Sequence, residues 1–270
     1  MQKISNNVYV ETGFRSCNAS FVVTREGVVM IDTPMVPSEA VKWRDEIAKY
    51  GPVRYLINNE PHYDHISGDC FFGGILIAHE GAREEILKAS IEQLEIRLKR
   101  SAPESLPLAS GFRFRPPDIT LSQRLNIHLG DHTFKLMHLP GHTPFQLAVY
   151  VPEERVVFTS DNVVNSTPPY LHQALPYAWL ESLKQIQQLE ADLIVPGHGK
   201  ICDRAYITTM SASIRNWIDV VGGVIKSGLS MEEAQNRLSL PQLFPGLPVE
   251  ERMAEIKRMN IAHLYEVLKK

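Results

Sequence analysis

The segment Asn58–Cys70 reads NNEPHYDHISGDC, and it decides the fold. Four side chains that commonly bind metals stand close together in it: Glu60, His62, Asp64 and His65. The apolar run Val53–Ile57 comes directly before the segment and predicts a buried strand. The cluster is therefore expected on a loop at the carboxyl end of that strand. There the first three side chains point to one side and the fourth reaches a second point, which suits two neighbouring metal ions. The alternative is a solvated loop that is merely rich in polar residues.

Three more ligand-type residues each follow a strand-like run. They are His142 in LPGHTP, Asp161 in VVFTSDN and His198 in LIVPGHG. Glycine stands beside both histidines, and we expect it to let the backbone turn and aim the ring. The order of these motifs resembles the metallo-β-lactamase-fold hydrolase superfamily, and the resemblance covers residues from about 1 to 202.

The resemblance implies a ligand set for two metal sites. Members of this superfamily usually carry a His-x-His-x-Asp-His loop, whereas Glu60 stands at the first position here. Carried over, the first site takes His62 and His142, the second takes Asp64, His65 and His198, and Asp161 bridges them. Asp64 is also the predicted catalytic residue. Two interpretations of Glu60 stay open: its carboxylate replaces the missing nitrogen ligand, or it faces away and the first site is weak or empty.

The expected cofactor is a pair of divalent metal ions. The resemblance implies zinc, and the carboxylate of Glu60 would improve the match to manganese or iron. A water molecule held between two such ions has a pKa of about 7, and the hydroxide that it forms is a potent nucleophile. We therefore predict a binuclear hydrolase for a small organic ester, lactone, thioester or amide. The alternatives are a di-iron oxidoreductase of the same fold, a β-lactam hydrolase, a nuclease and a binding module without activity.

Composition restricts the possible partners. A formal net charge of -3 on 270 residues gives no global attraction to nucleic acid. The amino-terminal segment has no apolar core, and no later segment approaches the roughly 18 apolar residues of a membrane span. Three widely spaced cysteines argue against a disulfide framework and suit a reducing compartment. We expect a cytoplasmic protein that acts on a small molecule, with neither nucleic acid nor membrane as partner.

Strand-like and helix-like segments alternate in two similar halves. This pattern predicts an α/β fold with two sheets packed face to face and helices outside, and the resemblance implies the four-layer αββα sandwich. Residues 81–118 read as an inserted helical lid with one long amphipathic helix over 81–100, although a peripheral packing helix is the alternative. Residues 1–202 form the predicted core domain. Residues 203–270 form a helical extension that packs on the core, or that also makes a homodimer interface.

Candidate substrate-binding residues lie in two places, in the segment after Asp161 and in the predicted insertion. They are Tyr170, His172 and Trp179 after Asp161, and Arg113 and Arg115 in the predicted lid. Aromatic walls with an arginine suit a planar or carboxylate-bearing organic molecule. Asp32 ends a predicted strand at the same edge, where it either supports a metal ligand or caps a turn.

Overall fold

Two mixed sheets form the centre of the fold. A computed structural model describes residues 1–109, 112–248 and 252–269. The first sheet has seven strands in chain order: β1 Gln2–Lys3, β2 Val8–Glu11, β3 Ala19–Thr24, β4 Gly27–Ile31, β5 Val53–Ile57, β6 Ile75–His79 and β7 Ile119–Leu121. Strands β1 to β4 pair antiparallel, whereas β4 to β7 pair parallel.

The second sheet has five strands. They are β8 Arg124–Leu129, β9 His132–His138, β10 Leu147–Val151, β11 Val156–Asn165 and β12 Leu193–Gly199. Their spatial order is β12-β11-β10-β9-β8, with β11 and β12 parallel and the other neighbours antiparallel. The parallel pair matters for function because both of its strands deliver side chains to the same edge.

Helices connect or follow many of these strands in the described residues. They are α1 Pro37–Ile47, α2 Tyr63–Ile66, α3 Glu80–Lys88, α4 Ile91–Ser101, α5 Pro176–Gln188, α6 Tyr206–Lys226, α7 Met231–Arg237, α8 Leu240–Leu243 and α9 Arg252–Leu268. Short 3-10 helices cover Ser67–Phe71 and Pro103–Ala109. No helix in the described ranges combines the length and the apolar character that a membrane crossing requires.

Three apolar layers separate four layers of secondary structure. Between the sheets, alternate strand residues such as Val22, Ile57, Phe134 and Val149 are fully buried. On the outer face of the first sheet, Trp43 of α1 packs in a second buried cluster with strand residues such as Phe21 and Met30. On the outer face of the second sheet, α5, α6 and α9 cover the strands, and their largest buried side chains are Trp179, Trp217 and Tyr265. The αββα prediction and the helical extension are therefore confirmed.

The insertion contains two helices, so the prediction of one long helix over 81–100 is wrong. Ser90 separates α3 from α4, because its hydroxyl accepts a hydrogen bond from the backbone N–H of Gln93 and so caps the second helix. The Ser90 N–H in turn donates to the hydroxyl of Tyr63 at 2.9 Å. Leu94 and Leu98 of α4 pack in a small buried cluster beside the metal-ligand loop. Part of the predicted lid, Ser110 and Gly111, lies outside the described residues.

A buried side chain links the last helix to the loop after β11. Asn260 of α9 accepts a hydrogen bond from the Leu171 N–H at 2.7 Å and donates one to the Pro169 carbonyl at 2.9 Å. Asn260 is fully buried, so water cannot replace either bond. The loop that carries Tyr170 is therefore fixed by the carboxyl-terminal extension.

We expect Asn260→Ala to lower the free energy of unfolding by about 1 to 3 kcal/mol, because it leaves one buried donor and one buried acceptor without partners. Urea unfolding measures the change. Asn216→Ala is the matched control, since the Asn216 amide donates only one solvent-exposed bond, to the Gln242 carbonyl. Equal effects of the two substitutions would contradict the proposed link.

A second buried polar group lies beneath the metal-ligand loop. One oxygen of Asp69 accepts hydrogen bonds from Thr33 Oγ1 at 2.7 Å and from Asn58 Nδ2 at 3.2 Å. The other oxygen is buried without a hydrogen-bond partner. Burial raises the pKa of Asp69 to about 8, so the carboxyl group is protonated in the folded protein at neutral pH.

Asp69→Asn should remove a pH dependence of stability. Between about pH 4 and pH 8 the folded protein holds a proton on Asp69 that the unfolded chain has lost, so the free energy of unfolding falls as pH rises. The variant has no such proton, and its stability relative to the native protein should rise across this range. Urea unfolding near pH 5 and near pH 8, at matched metal content, tests this, with exposed Asp219→Asn as control. If the free energies of unfolding of the variant and the native protein differ by the same amount at both pH values, Asp69 is ionised in the folded protein.

Candidate metal centre

Segments of both sheets, together with the loops and the short helix that follow their strands, bring all seven predicted ligand residues to one edge of the sandwich. Three groups of ligand atoms each lie within 4.8 Å of one another: Glu60 with His62 and His142, Asp64 with His65 and His198, and Glu60 with His65 and Asp161. Glu60 and His62 lie on the loop after β5. Asp64 and His65 lie on α2, which follows directly. His142 follows β9, Asp161 lies within β11, and His198 lies within β12.

The carboxylate of Glu60 turns toward the first group. Its Oε2 atom lies 2.6 Å from His62 Nδ1 and 3.5 Å from His142 Nε2. The other oxygen, Oε1, is held from behind by Ser160 Oγ at 2.8 Å and by the Asp161 N–H at 3.1 Å. Of the two interpretations left open by the sequence, the placement favours the one in which Glu60 takes the position of a ligand.

Asp161 spans the two groups. Its Oδ1 atom is 3.5 Å from His65 Nε2 and 3.4 Å from His198 Nε2, whereas its Oδ2 atom is 3.7 Å from His142 Nε2. Asp64 completes the second group, with Oδ2 at 3.1 Å from His198 Nε2. A single carboxylate between two sets of ligands is the arrangement that a bridged metal pair requires.

Three of the histidines are oriented by a partner on the ring nitrogen that faces away from the centre. The pairs are His62 Nε2 with Gln173 Oε1 at 3.0 Å, His65 Nδ1 with Asp32 Oδ2 at 3.0 Å, and His142 Nδ1 with the Tyr170 carbonyl at 2.7 Å. Such partners fix the tautomer and leave the other nitrogen as a ligand. Asp32 therefore supports a ligand, which was one of its two predicted roles.

The donor set fits divalent metal ions. Glu60 Oε2, His65 Nε2 and Asp161 Oδ1 are buried and have no hydrogen-bond partner. Buried polar atoms are almost always paired, so these three atoms, which lie within the clustered ligand groups, fit a site built to hold cations. Nitrogen and carboxylate ligands together suit zinc, manganese and iron.

The charges of the centre reinforce one another. Burial alone would raise the pKa of Glu60, but the neighbouring imidazoles, led by His65, outweigh it and hold the pKa at about 2. Burial alone would lower the pKa of His198, but Asp161 and Asp64 raise it to about 10. Without metal, protons therefore reside on imidazoles between ionised carboxylates. Metal binding must displace these protons, so it becomes stronger as pH rises.

Two glycines allow side chains to approach the backbone. A Cβ atom on Gly197 would lie 1.9 Å from Asp161 Oδ1, and one on Gly141 would lie 2.3 Å from Asn162 Oδ1. Neither glycine has a positive φ angle, whereas Gly199, on the other side of His198, has φ of 85°. Two non-glycine residues of the centre are also left-handed: Asp32, with φ of 54°, and Ser160, with φ of 45°. These two turns bring Ser160 Oγ within 3.0 Å of Asp32 Oδ2.

A cavity of about 510 Å³ opens onto the ligand residues. Tyr170 and His172 line it, as predicted. Trp179 does not, because it is fully buried behind His142 and donates its indole N–H to the Asn162 carbonyl. The prediction that Trp179 lines the opening is therefore corrected.

The two predicted lid arginines are also absent from the cavity wall as the structure describes it. The guanidinium of Arg115 donates to the Phe72 carbonyl and pairs with Asp118 at 2.8 Å, so it fastens the insertion to the first sheet. Arg113 is exposed to solvent. Among the described residues 81–109 and 112–118, the wall contains Arg97 of α4 alone. The insertion therefore packs on the core and reaches the cavity wall through Arg97 of α4, whereas its role as a lid stays a prediction.

Several residues of the centre escaped the sequence analysis. Gln173 and Ser160 each stand beside a recognised residue, His172 or Asp161, and that proximity was the available signal. Arg97 lies on the polar face of an amphipathic helix, where most arginines are merely solvated, so its sequence position gave no signal. Arg252 lies beyond the motifs altogether.

Comparisons with known proteins agree with this geometry. The linear primary-alkylsulfatase of Pseudomonas sp. is 23% identical over 82% of this chain, which spans about half, 49%, of that protein. The hydroxyacylglutathione hydrolase of Bartonella henselae is 33% identical, over 30% of this chain and 32% of the relative. A metallo-beta-lactamase family protein from Thermus thermophilus superposes with a TM-score of 0.70 at 15% identity, covering 97% of this chain and 93% of its own, and so shows the fold alone.

The sequence model described as the metallo-beta-lactamase superfamily matches residues 12–198, which include all seven ligand residues and both sheets from β3 onward. The chain belongs to the metallo-beta-lactamase superfamily.

Proposed function

We propose that this protein is a binuclear metallohydrolase that cleaves a small organic ester, lactone, thioester or amide. The observation that carries the proposal is the position of the Asp161 carboxylate between two ligand groups whose buried atoms lack partners. Two bound divalent ions supply an activated water and polarise the bond to be cleaved. We propose zinc as the metal, as the family resemblance implies, and manganese or iron as the alternatives because Glu60 contributes a carboxylate in place of an imidazole.

The chain's own residues hold and orient this chemistry. Asp32, Gln173 and the Tyr170 carbonyl keep three imidazoles in fixed tautomers, so the ligand geometry needs no rearrangement when substrate arrives. The Asp64 side chain is 32% exposed and lines the cavity, so solvent and substrate reach it more readily than the buried Asp161. That exposure supports its predicted catalytic role.

His172 gives the cavity a neutral polar wall. Burial, together with the nearby imidazoles of His62 and His142, lowers its pKa to about 4. It is therefore uncharged at neutral pH, and its ring stacks on His62 with 5.5 Å between ring centres. A neutral imidazole here can donate or accept a hydrogen bond without adding charge to the metal centre.

The names of two relatives indicate which kinds of bond are worth testing. One relative is named as an alkylsulfatase and another as a hydroxyacylglutathione hydrolase, which are an ester-cleaving and a thioester-cleaving activity of those proteins. Both reactions fall within the proposed class when it includes sulfate esters. Because this chain covers only part of either relative, their own substrates are starting points for a panel.

The metal stoichiometry tests the centre directly. We expect two ions per chain by elemental analysis after reconstitution with Zn²⁺ or Mn²⁺. Glu60→Gln should reduce this to one, because the amide keeps an acceptor for Ser160 and the Asp161 N–H but offers no charged ligand to the first group. Calorimetry should show the loss of one binding event.

Glu154→Gln is the matched control for that experiment. The side chain of Glu154 is also buried, and it contacts Ser5, Asn7 and His132, none of which is a candidate ligand residue. It should bind two ions. Saturation at one ion in the native protein would exclude the binuclear centre, and binding of two ions by Glu60→Gln with unchanged affinities would show that Glu60 is not a ligand.

The metal-loaded protein should hydrolyse at least one member of a panel of phenyl ester, lactone, thioester, anilide, sulfate ester and β-lactam substrates. Asp161→Ala should lower the rate by more than about 100-fold, because the two ligand groups lose their shared carboxylate. The fold should persist, as judged by circular dichroism.

His128→Ala serves as the control, because His128 lies on β8 and its ring contacts only Thr133 among the described hydrogen bonds. Its rate should match that of the native protein. Turnover of the β-lactam alone would redirect the assignment to lactam hydrolysis. Oxygen consumption by an iron-loaded protein that cleaves nothing in the panel would instead support the oxidoreductase.

A further inference from the structure

The cavity wall carries an excess of positive charge beyond the metal ligands. Its acidic lining residues, Asp64 and Asp161, both belong to the ligand set. The remaining charged residues of the wall, within the described ranges, are Arg15, Arg97 and Arg252. Ligand carboxylates are neutralised by bound cations, so a substrate entering the loaded site meets guanidinium groups.

Arg15 contributes little of this charge to a ligand. Its Nε atom pairs with Glu39 at 2.9 Å, and its Nη1 atom pairs with Glu104. Both acids lie close enough to cancel its field within the cavity. Arg15 therefore joins the amino-terminal part of the chain to the insertion, and its charge is balanced by those two acids.

Arg97 is placed differently. Its guanidinium lies over the ring of Tyr63, 4.9 Å from the ring centre, and no carboxylate within the described ranges comes within 4.0 Å of it as an ion pair. Tyr63 stands between the ligand residues His62 and Asp64, so the charge is stacked directly on the metal-ligand loop. The Tyr63 hydroxyl is itself fixed by the Ser90 N–H. The guanidinium thus has a rigid base on one face.

The carboxyl-terminal extension brings the second guanidinium. Arg252 begins α9, lines the same cavity and donates to Thr167 Oγ1 at 3.3 Å. An ion pair between Arg100 of α4 and Glu255 of α9, at 3.8 Å, joins the two helices on the outside. The insertion and the extension therefore meet above the metal centre, and each contributes an arginine.

The rest of the wall is largely apolar. Phe14, Met35, Val164, Pro168 and Tyr170 line it together with His172. A ligand that contacts both the arginines and the apolar side chains of the wall has an apolar body and an anionic end. The planar fork of a guanidinium matches the two oxygens of a carboxylate particularly well.

We propose that Arg97, assisted by Arg252, forms a carboxylate-binding subsite, and that the substrate is an ester or thioester with a free carboxylate at the end away from the bond cleaved. This proposal rests on the proposed hydrolase function and adds the substrate class. The subsite uses elements outside the metal-ligand motifs, so it distinguishes this chain among proteins that share those motifs.

Steady-state kinetics on a matched pair of esters tests the subsite. The acid probe is the monophenyl ester of glutaric acid, and the neutral probe is the same ester with its free carboxyl group converted into a primary amide. Arg97→Gln should lower kcat/KM for the acid by at least about tenfold, mainly through KM, and change that for the amide by less than about twofold. Arg97→Lys should restore part of the preference, because it keeps the charge but loses the fork.

Lys99→Gln is the control, since it removes one positive charge from the same helix at an exposed position outside the cavity wall. Its kinetics should equal those of the native protein for both esters. A comparable loss in Lys99→Gln would assign the effect to general electrostatics and overturn the subsite. An equal loss for both esters in Arg97→Gln would show a structural role for Arg97 and would also overturn it.

Binding of unreactive probes separates this proposal from the proposed hydrolysis. The probes are the benzyl ketones in which a methylene group replaces the ester oxygen, one with the free acid and one with the amide. Calorimetry on the metal-loaded native protein should show tighter binding of the acid ketone, by a margin that shrinks as salt is added and disappears in Arg97→Gln. Equal affinities for the two ketones would overturn the subsite even if esters are cleaved. Failure to cleave any ester, with the ketone preference intact, would overturn only the hydrolase.

Discussion

Three buried carboxylates converge on one buried imidazole, and the centre depends on that contact. Asp32 Oδ2 lies 3.0 Å from His65 Nδ1, while Glu60 and Asp161 approach His65 Nε2 at 3.7 and 3.5 Å. So many acids can be buried together only when positive charge balances them. His65 supplies part of that charge as a proton-bearing ring, and metal ions replace the proton when they bind. Folding and metal binding are therefore coupled through the same few atoms.

This contact requires both sheets. Asp32 and Glu60 follow strands of the first sheet, whereas Ser160 and Asp161 belong to β11 of the second. The buried apolar residues that precede these positions, Ile57 among them, pack in the layer between the sheets. Register within that layer thus sets the distance between carboxylates that no local sequence fixes. The Ser160 hydroxyl, bonded to both Asp32 and Glu60, joins the two halves at this point.

The sequence predicts what depends on short range. Strand, turn and polar residue follow each other within a few residues, so these motifs and the resemblance they carry predicted the fold and the seven candidate ligand residues that the structure places together. The cavity wall was not, because it is assembled from segments far apart in the chain. Arg115 and Trp179 were misplaced for this reason, since each side chain points to a neighbour that only the tertiary structure reveals. The break at Ser90 was missed because a serine cap competes with an apolar periodicity that continues through it.

The bonds from Asn260 to the loop around Tyr170 also have a consequence in time. The chain is made from its amino-terminal end, so every metal ligand, the last of which is His198, leaves the ribosome before α9 does. The metal-binding pocket can thus be complete while the loop that carries the Tyr170 carbonyl is still untethered. A nascent chain at that stage would lack the bonds from Asn260 to the Tyr170 loop, and Arg252 would not yet stand in the cavity wall.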